Sequence, residues 1–260
     1  MLVERNCLHC GEKAAVAARF CRRCGTDLEH AEARHGLGVS VTAHGPEALD
    51  QDASPRDIWW LSASPVAISV VYAIVSYFSG LSAVAELICL AAIALVALVG
   101  AAKSWKLARK GFRLPTVQGV GWTLLVAGIG WPLMTLAFGL LEKLGFTLDG
   151  NYLLPYVLEG WPAWSGYASI AVATPLTEEL LFRGLIQPKL EQILRPTDAL
   201  IVQAVLFSAA HLSPTILGTH FVMGLAFGWL RRRSGSLLPS IALHAAWNAW
   251  VIWSSSGDWP

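Results

Sequence analysis

The chain has 260 residues, 55% of them hydrophobic and 14% charged, with a formal net charge of +1. Charged residues make up about a quarter of an ordinary soluble domain, so this composition argues against a purely soluble chain and for a polytopic membrane protein. The net charge carries no electrostatic signature of nucleic acid or of acidic partners.

The first 15 residues are polar and lack an apolar run, so no cleavable signal peptide is expected. Cys7-x-x-Cys10 and Cys21-x-x-Cys24 form two pairs separated by ten residues, each followed by glycine, Gly11 and Gly25. Glycine can take the left-handed backbone that curls two thiolates toward one ion. Four thiolates at this spacing suit tetrahedral Zn2+, whereas two disulfides would need an oxidising compartment. Residues 1–28 resemble the short zinc ribbons, notably in Phe20-Cys-Arg-Arg-Cys-Gly-Thr-Asp-Leu28. A structural zinc on Cys7, Cys10, Cys21 and Cys24 would supply most of the folding energy of so small a module. His9 is read as a solvent-facing knuckle residue. Arg5, Lys13, Arg19, Arg22 and Arg23 make the module basic, and a solvated surface accounts for them better than nucleic acid or anionic lipid.

Residues 29–57 have no sustained periodicity and are rich in small, polar and charged residues, as a flexible tether would be. His30, His35 and His44 are too irregularly spaced to suggest a metal site. A membrane domain is expected over 58–260. Crossing the hydrocarbon core takes about 20 apolar residues, and spans are expected near 58–78, 82–102, 119–141, 164–187, 198–212, 215–230 and 237–254. The fifth and sixth are short, so the count is about seven. Trp59, Trp60, Trp161, Trp164 and Tyr167 fall at span ends, where interfacial aromatic belts form. The fold class is thus an all-α polytopic membrane protein with a small N-terminal zinc ribbon.

Basic residues orient it. With the N-terminus inside, eleven fall on the inner side, namely Lys103, Lys106, Arg109, Lys110, Arg113, Arg183, Lys189, Arg195 and Arg231 to Arg233. The opposite loops hold only Lys143. The positive-inside rule then places the ribbon in the cytoplasm and Ser254–Pro260 outside. The stretch 103–114 is either an interfacial segment or a hydrophilic loop.

Three polar clusters interrupt the apolar runs. Glu179 and Arg183 are spaced i, i+4 and can pair on one helix. Glu178 points about 100° away from Glu179 and is free to face a cavity. Pro175 lies one turn upstream, where its missing amide loosens the helix. Phe207 and His211, and His244 and Asn248, repeat the i, i+4 spacing. At about 1.5 Å per residue, all three clusters fall in or near the inner half of the membrane. A carboxylate and an imidazole can hold and deprotonate a water, while a second imidazole and a carboxamide can donate to an oxyanion. The same Glu178, His211 and His244 could instead ligate a catalytic metal. Glu86 is a further buried acid, read as interfacial or cavity-lining. His220 is read as structural or interfacial.

Glu178-Glu179-Leu-Leu-Phe-Arg183-Gly184, Phe207-Ser-Ala-Ala-His211 and His244-Ala-Ala-Trp-Asn248 resemble the E-E-x-x-x-R, F-x-x-x-H and H-x-x-x-N motifs of the CAAX protease and bacteriocin-processing (CPBP) family of intramembrane proteases. The resemblance covers about 165–252. It implies that Glu178 and His211 activate water, that His244 and Asn248 stabilise the oxyanion, and that Glu179 and Arg183 shape the site. Members are often described as metalloproteases. The implied activity is endopeptidase cleavage of a membrane-associated peptide or protein, in a bacterial cytoplasmic membrane and in contact with its lipid. The alternative is a non-catalytic membrane adaptor or immunity protein whose ribbon binds a cytoplasmic protein partner.

Overall fold

The computed structural model describes residues 4–15, 18–21, 23–28, 55–146 and 150–255. Arg22, residues 29–54 of the expected tether with His30, His35 and His44, and the C-terminal 256–260 lie outside the described residues, and the expected tether's last three residues, 55–57, instead begin a helix. The N-terminal module is a two-stranded antiparallel ribbon, β1 (Glu4–Asn6) with β2 (Lys13–Ala15), in register Asn6 opposite Lys13.

The rest is helical: α1 (Pro55–Ser79), α2 (Ala83–Lys103), the short α3 (Trp105–Gly111) and α4 (Val117–Lys143). After the short α5 (Leu154–Leu158) comes a continuous helical rod over 163–193. The rod is α6 (Ala163–Gly166), a π-helical stretch π1 (Tyr167–Ala173), α7 (Thr174–Glu178), a second stretch π2 (Glu179–Ile186) and α8 (Gln187–Ile193). Then follow α9 (Pro196–Ala209), α10 (Leu217–Ser234) and α11 (Leu238–Ser255). Three helices, Arg56–Ser79, Ala83–Lys103 and Val117–Lys143, are long and apolar enough to cross a membrane, and Pro196–Ala209 is a shorter apolar helix. Among the described residues, a helical rod falls at each of the seven expected positions. The fourth runs six residues beyond its expected end at 187, and the fifth stops at Ala209 rather than 212. The stretch 103–114 contains α3, so it is largely a short helix rather than a loop.

The rod is the centre of the bundle. From Glu179 to Glu191 all residues but Leu180 are buried. Its neighbours instead turn large apolar side chains outward, among them Val71, Ile74, Ile88, Leu95, Leu98, Leu124, Ile129 and Leu136. Outward apolar faces around a polar-spotted centre are what a lipid solvent selects, since hydrocarbon leaves packing and polar contacts to hold helices together. Small residues let the helices close. A Cβ at Gly224 of α10 would come within 2.8 Å of the Ala204 backbone on α9, and one at Gly100 within 2.7 Å of Leu61 on α1 and 2.9 Å of Leu185 in the rod.

Prolines mark both π-to-α transitions. Pro175 and Pro188 sit in the first turns of α7 and α8. The amides just before them reach back five residues, Thr174 to the Ser169 carbonyl and Gln187 to that of Phe182. A wide turn relieves the clash between the pyrrolidine ring and the carbonyl four residues earlier.

The basic segments gather at one end. The Leu237 amide donates to the Gly111 carbonyl at 2.6 Å, and Ser236 Oγ to that of Arg113. Lys103 lies over the Trp60 ring, and Arg233 over those of Trp122 and Trp229. At the other end the Glu159 carboxylate caps α2, accepting from the amides of Ala83 at 2.9 Å and Val84 at 3.3 Å. Two of the eleven inner basic residues are buried inside the rod: Arg183 is fully buried in π2 and Lys189 is 1% exposed in α8. Nine remain against Lys143, so the asymmetry survives this correction.

Candidate active site

Glu178 and Glu179 occupy the junction of α7 and π2. Glu179 is fully buried and pairs with Arg183, Nη1 to Oε1 at 2.8 Å. The guanidinium also lies 4.1 Å from the centre of the Phe207 ring. Phe207 therefore serves as a platform for a buried cation, the contact by which F-x-x-x-H engages E-E-x-x-x-R. Glu178 keeps 15% of its side chain exposed and does not pair with Arg183.

Both motif histidines turn toward Glu178. Nε2 of His211 is 4.0 Å from Oε1, and Nε2 of His244 is 3.7 Å from Oε2. Their other nitrogens are already committed. Nδ1 of His211 donates to the Phe207 carbonyl at 2.8 Å, and Nδ1 of His244 donates to Glu179 Oε1 at 3.0 Å. A carbonyl and a carboxylate only accept, so each ring carries its proton on Nδ1 and presents Nε2 to Glu178. Separations of this length are those at which one water joins two polar groups.

The levels agree as well. A Cβ at Gly184 would lie 3.2 Å from Leu237 Cδ1. Glu178 is six residues back from Gly184 on the rod and His244 is seven residues on from Leu237, so both lie about 10 Å above that contact. His211 arrives from the third side. It sits on the closing turn beyond α9, with its amide bonded to the Ser208 carbonyl, and Leu212 ends the helix at φ +49°. Asn248 is one turn beyond His244 but is directed at π1, its Nδ2 donating to the Ile170 carbonyl at 2.9 Å. It thus satisfies a π-helical carbonyl and keeps one further N–H.

His220, read from the sequence as structural or interfacial, lies beside this cluster. The His220 ring is 4.1 Å from that of His211, and its Nδ1 is bonded to the Ile216 carbonyl at 3.0 Å. No spacing signals it, because His220 is on a different helix from either motif histidine.

The cysteine module is a separate constellation. Cys7 and Cys24 have their Sγ atoms 3.6 Å apart, and Cys10 and Cys21 3.5 Å apart. A disulfide would need about 2.05 Å, whereas thiolates bound tetrahedrally at about 2.3 Å lie about 3.8 Å from one another. The two knuckles repeat one bonding pattern, Gly11 amide to Cys7 carbonyl and Gly25 amide to Cys21 carbonyl, both at 2.8 Å. Gly11 and Gly25 take φ of 72° and 74°, as the turn requires. The quartet is close enough to hold a metal ion, and its donor set is compatible with a structural zinc. Among the described residues this is the group whose ligand atoms all lie within 4.8 Å of one another. Glu178, His211 and His244 are not drawn together to that degree. A carboxylate and two Nε2 atoms facing one point are a donor set that would hold a catalytic metal, with water at the open position.

Residues 159–250 match the family model of the type II CAAX prenyl endopeptidase Rce1-like proteins. That segment holds Glu178, Glu179, Arg183, His211, His244 and Asn248, and leaves the cysteine module and α1 to α4 outside it. No curated protein and no solved structure matches the chain. The match supports a CAAX-type intramembrane protease, and with it a lipid environment and a peptide substrate.

Proposed function

We propose that the protein is an endopeptidase that hydrolyses a peptide bond of a membrane-associated peptide or protein by direct attack of water. One observation carries the reading: two imidazoles, each anchored through Nδ1, aim Nε2 at opposite oxygens of the one buried-site carboxylate without a guanidinium partner. In this reading water lies between Glu178 and His211. Glu178 accepts its proton as the water oxygen bonds to the scissile carbonyl carbon. The His244 ring, held through Nδ1 by the Glu179 carboxylate, forms one wall of the oxyanion hole. The second N–H of Asn248 adds to this hole. When the C–N bond breaks, the proton on Glu178 passes to the leaving amine, which closes the balance. Arg183 and Phe207 hold Glu179, and so the His244 ring, in place. The cysteine module holds zinc and faces the cytoplasm, where it is free to bind a protein partner.

The test compares peptides released from membranes carrying the wild type with those from membranes carrying Glu178→Gln. Fragments present only with the wild type are expected, and their C-termini identify the bond. A farnesylated CAAX peptide and its unprenylated twin, supplied to the same membranes, decide whether a prenyl group is required. Equal fragment sets from both membranes, with both proteins inserted, would remove the proteolytic reading and favour a non-catalytic adaptor.

A further inference from the structure

A second polar line crosses the apolar bundle outside the histidine cluster. It begins at Glu86, in the first turn of α2, a helix otherwise apolar enough to span a membrane. A carboxylate in that setting is costly unless it is partnered or wet. The buried Tyr156 donates its hydroxyl to Glu86 Oε1 at 3.0 Å. The same hydroxyl is hydrogen bonded to Ser169 in π1. A phenol has one proton, so Ser169 donates to Tyr156 and Tyr156 to Glu86.

The line continues inward. The Thr174 amide bonds to the Ser169 carbonyl, which stacks the two residues one wide turn apart. Thr174 and Glu178 are i, i+4 and share a face. Cys89 is three residues, about one turn, on from Glu86 along α2 and is partly exposed. Helix α2 and the rod run in the same direction, with Gly100 packed on Leu185. By that register Glu178 is level with Ile93, seven residues and about 10 Å inward of Glu86. Fastening the outer loop to α2 does not need Glu86, because Glu159 already caps α2 from that loop.

We propose that Glu86, Tyr156, Ser169 and Thr174 line a water-entry path that leads from the end of the bundle bearing Glu159 to Glu178. The inference rests on Glu178 as the water-activating group, since a hydrolase inside a bilayer consumes one water per turnover and must admit it.

Cys89 is a native reporter on this path. The full-length protein in liposomes is treated from either side with a membrane-impermeant methanethiosulfonate reagent, and the Cys89 peptide is read by mass spectrometry. Such reagents need a thiolate in water. Cys89 is expected to be labelled from the side bearing Glu159, and about tenfold more slowly in Glu86→Leu. Glu86→Gln, which still accepts from Tyr156 and removes the same charge near the thiol as Glu86→Leu does, is expected to label at or above the wild-type rate. Membrane-permeant N-ethylmaleimide and the unfolding midpoint check that each variant is folded. The proposal is overturned if wild-type Cys89 reacts only with the permeant reagent, if it labels only from the opposite side, or if folded Glu86→Leu labels as fast as Glu86→Gln. Should Glu86→Leu fail to fold, the wild-type labelling and its sidedness decide alone. No cleavage is measured, so labelling as expected beside identical fragment sets for wild type and Glu178→Gln would sink the protease reading and leave the path standing.

Discussion

Glu178 and Glu179 are neighbours in sequence and opposites in environment. Glu179 is enclosed, with Arg183 and His244 on the same oxygen, while Glu178 keeps solvent contact and faces two imidazoles. That split was legible from the i, i+4 spacing to Arg183 alone. What the spacing could not show is that Phe207 lies under the guanidinium, or that Glu179 also orients His244. Both are contacts between helices, and periodicity within one helix carries no information about them. The buried pair makes a direct prediction. Removing Arg183 leaves Glu179 without its countercharge, so Arg183→Ala should destabilise the protein by about 3–5 kcal/mol, read as a lower unfolding midpoint in detergent. Phe207→Leu should cost less, about 0.5–2 kcal/mol for the lost cation–π contact. An Arg183→Ala protein as stable as the wild type would mean that the pair is not what holds this centre.

Among the elements, the rod departs most from a sequence-level picture. Pro175 announced a loosened helix, but not that the chain would answer with two π-helical stretches, each closing one residue before a proline-bearing turn. The choice between a kink and a wide turn depends on what can satisfy the freed carbonyls. Here Asn248 from α11 takes that of Ile170, a partner 78 residues away. The cysteine module is the opposite case, because its knuckles are local and its glycines fall where the spacing puts them. Its chemistry sets a pH dependence. Burial pushes Cys21 up to about 12. At Cys10 the Glu12 amide lowers the thiol, but burial and the Cys24 thiol raise it more. At Cys24 burial acts upward, yet the Thr26 hydroxyl and amide bring it down to about 6. At neutral pH an incoming ion must therefore displace at least the protons of Cys10 and Cys21. Metal affinity is held at high pH and falls at least about a hundredfold for each unit of acidification, tenfold for each of the two or more protons displaced. Zinc release from the full-length protein to a chromophoric chelator, followed from pH 8 downward, measures this slope. A slope near zero would contradict the thiolate quartet.

On the scale of the molecule, two ends are distinguished. One gathers Lys103, α3 and the turn after Arg231 to Arg233, with tryptophans under the cations; the other carries the acidic cap Glu159. This asymmetry predicts topology. An epitope placed before Cys7 should be reached by antibody only after the cytoplasmic side is opened, and one after Ser255 should be reached from outside. The reverse accessibility would invert the orientation and place the proposed water entry on the cytoplasmic side. Composition, run length and motif spacing were enough to determine an all-α membrane protein, a four-cysteine module and the residue types of the candidate site, because each of these is written within one helix or one knuckle. Only the tertiary structure decided that His220 joins His211, that Asn248 supports π1, that Arg183 is interior rather than a loop charge, and that Glu86 is tied through Tyr156 and Ser169 to the rod. Those facts depend on which faces of different helices meet, and close approach at Gly100, Gly184 and Gly224 sets that meeting.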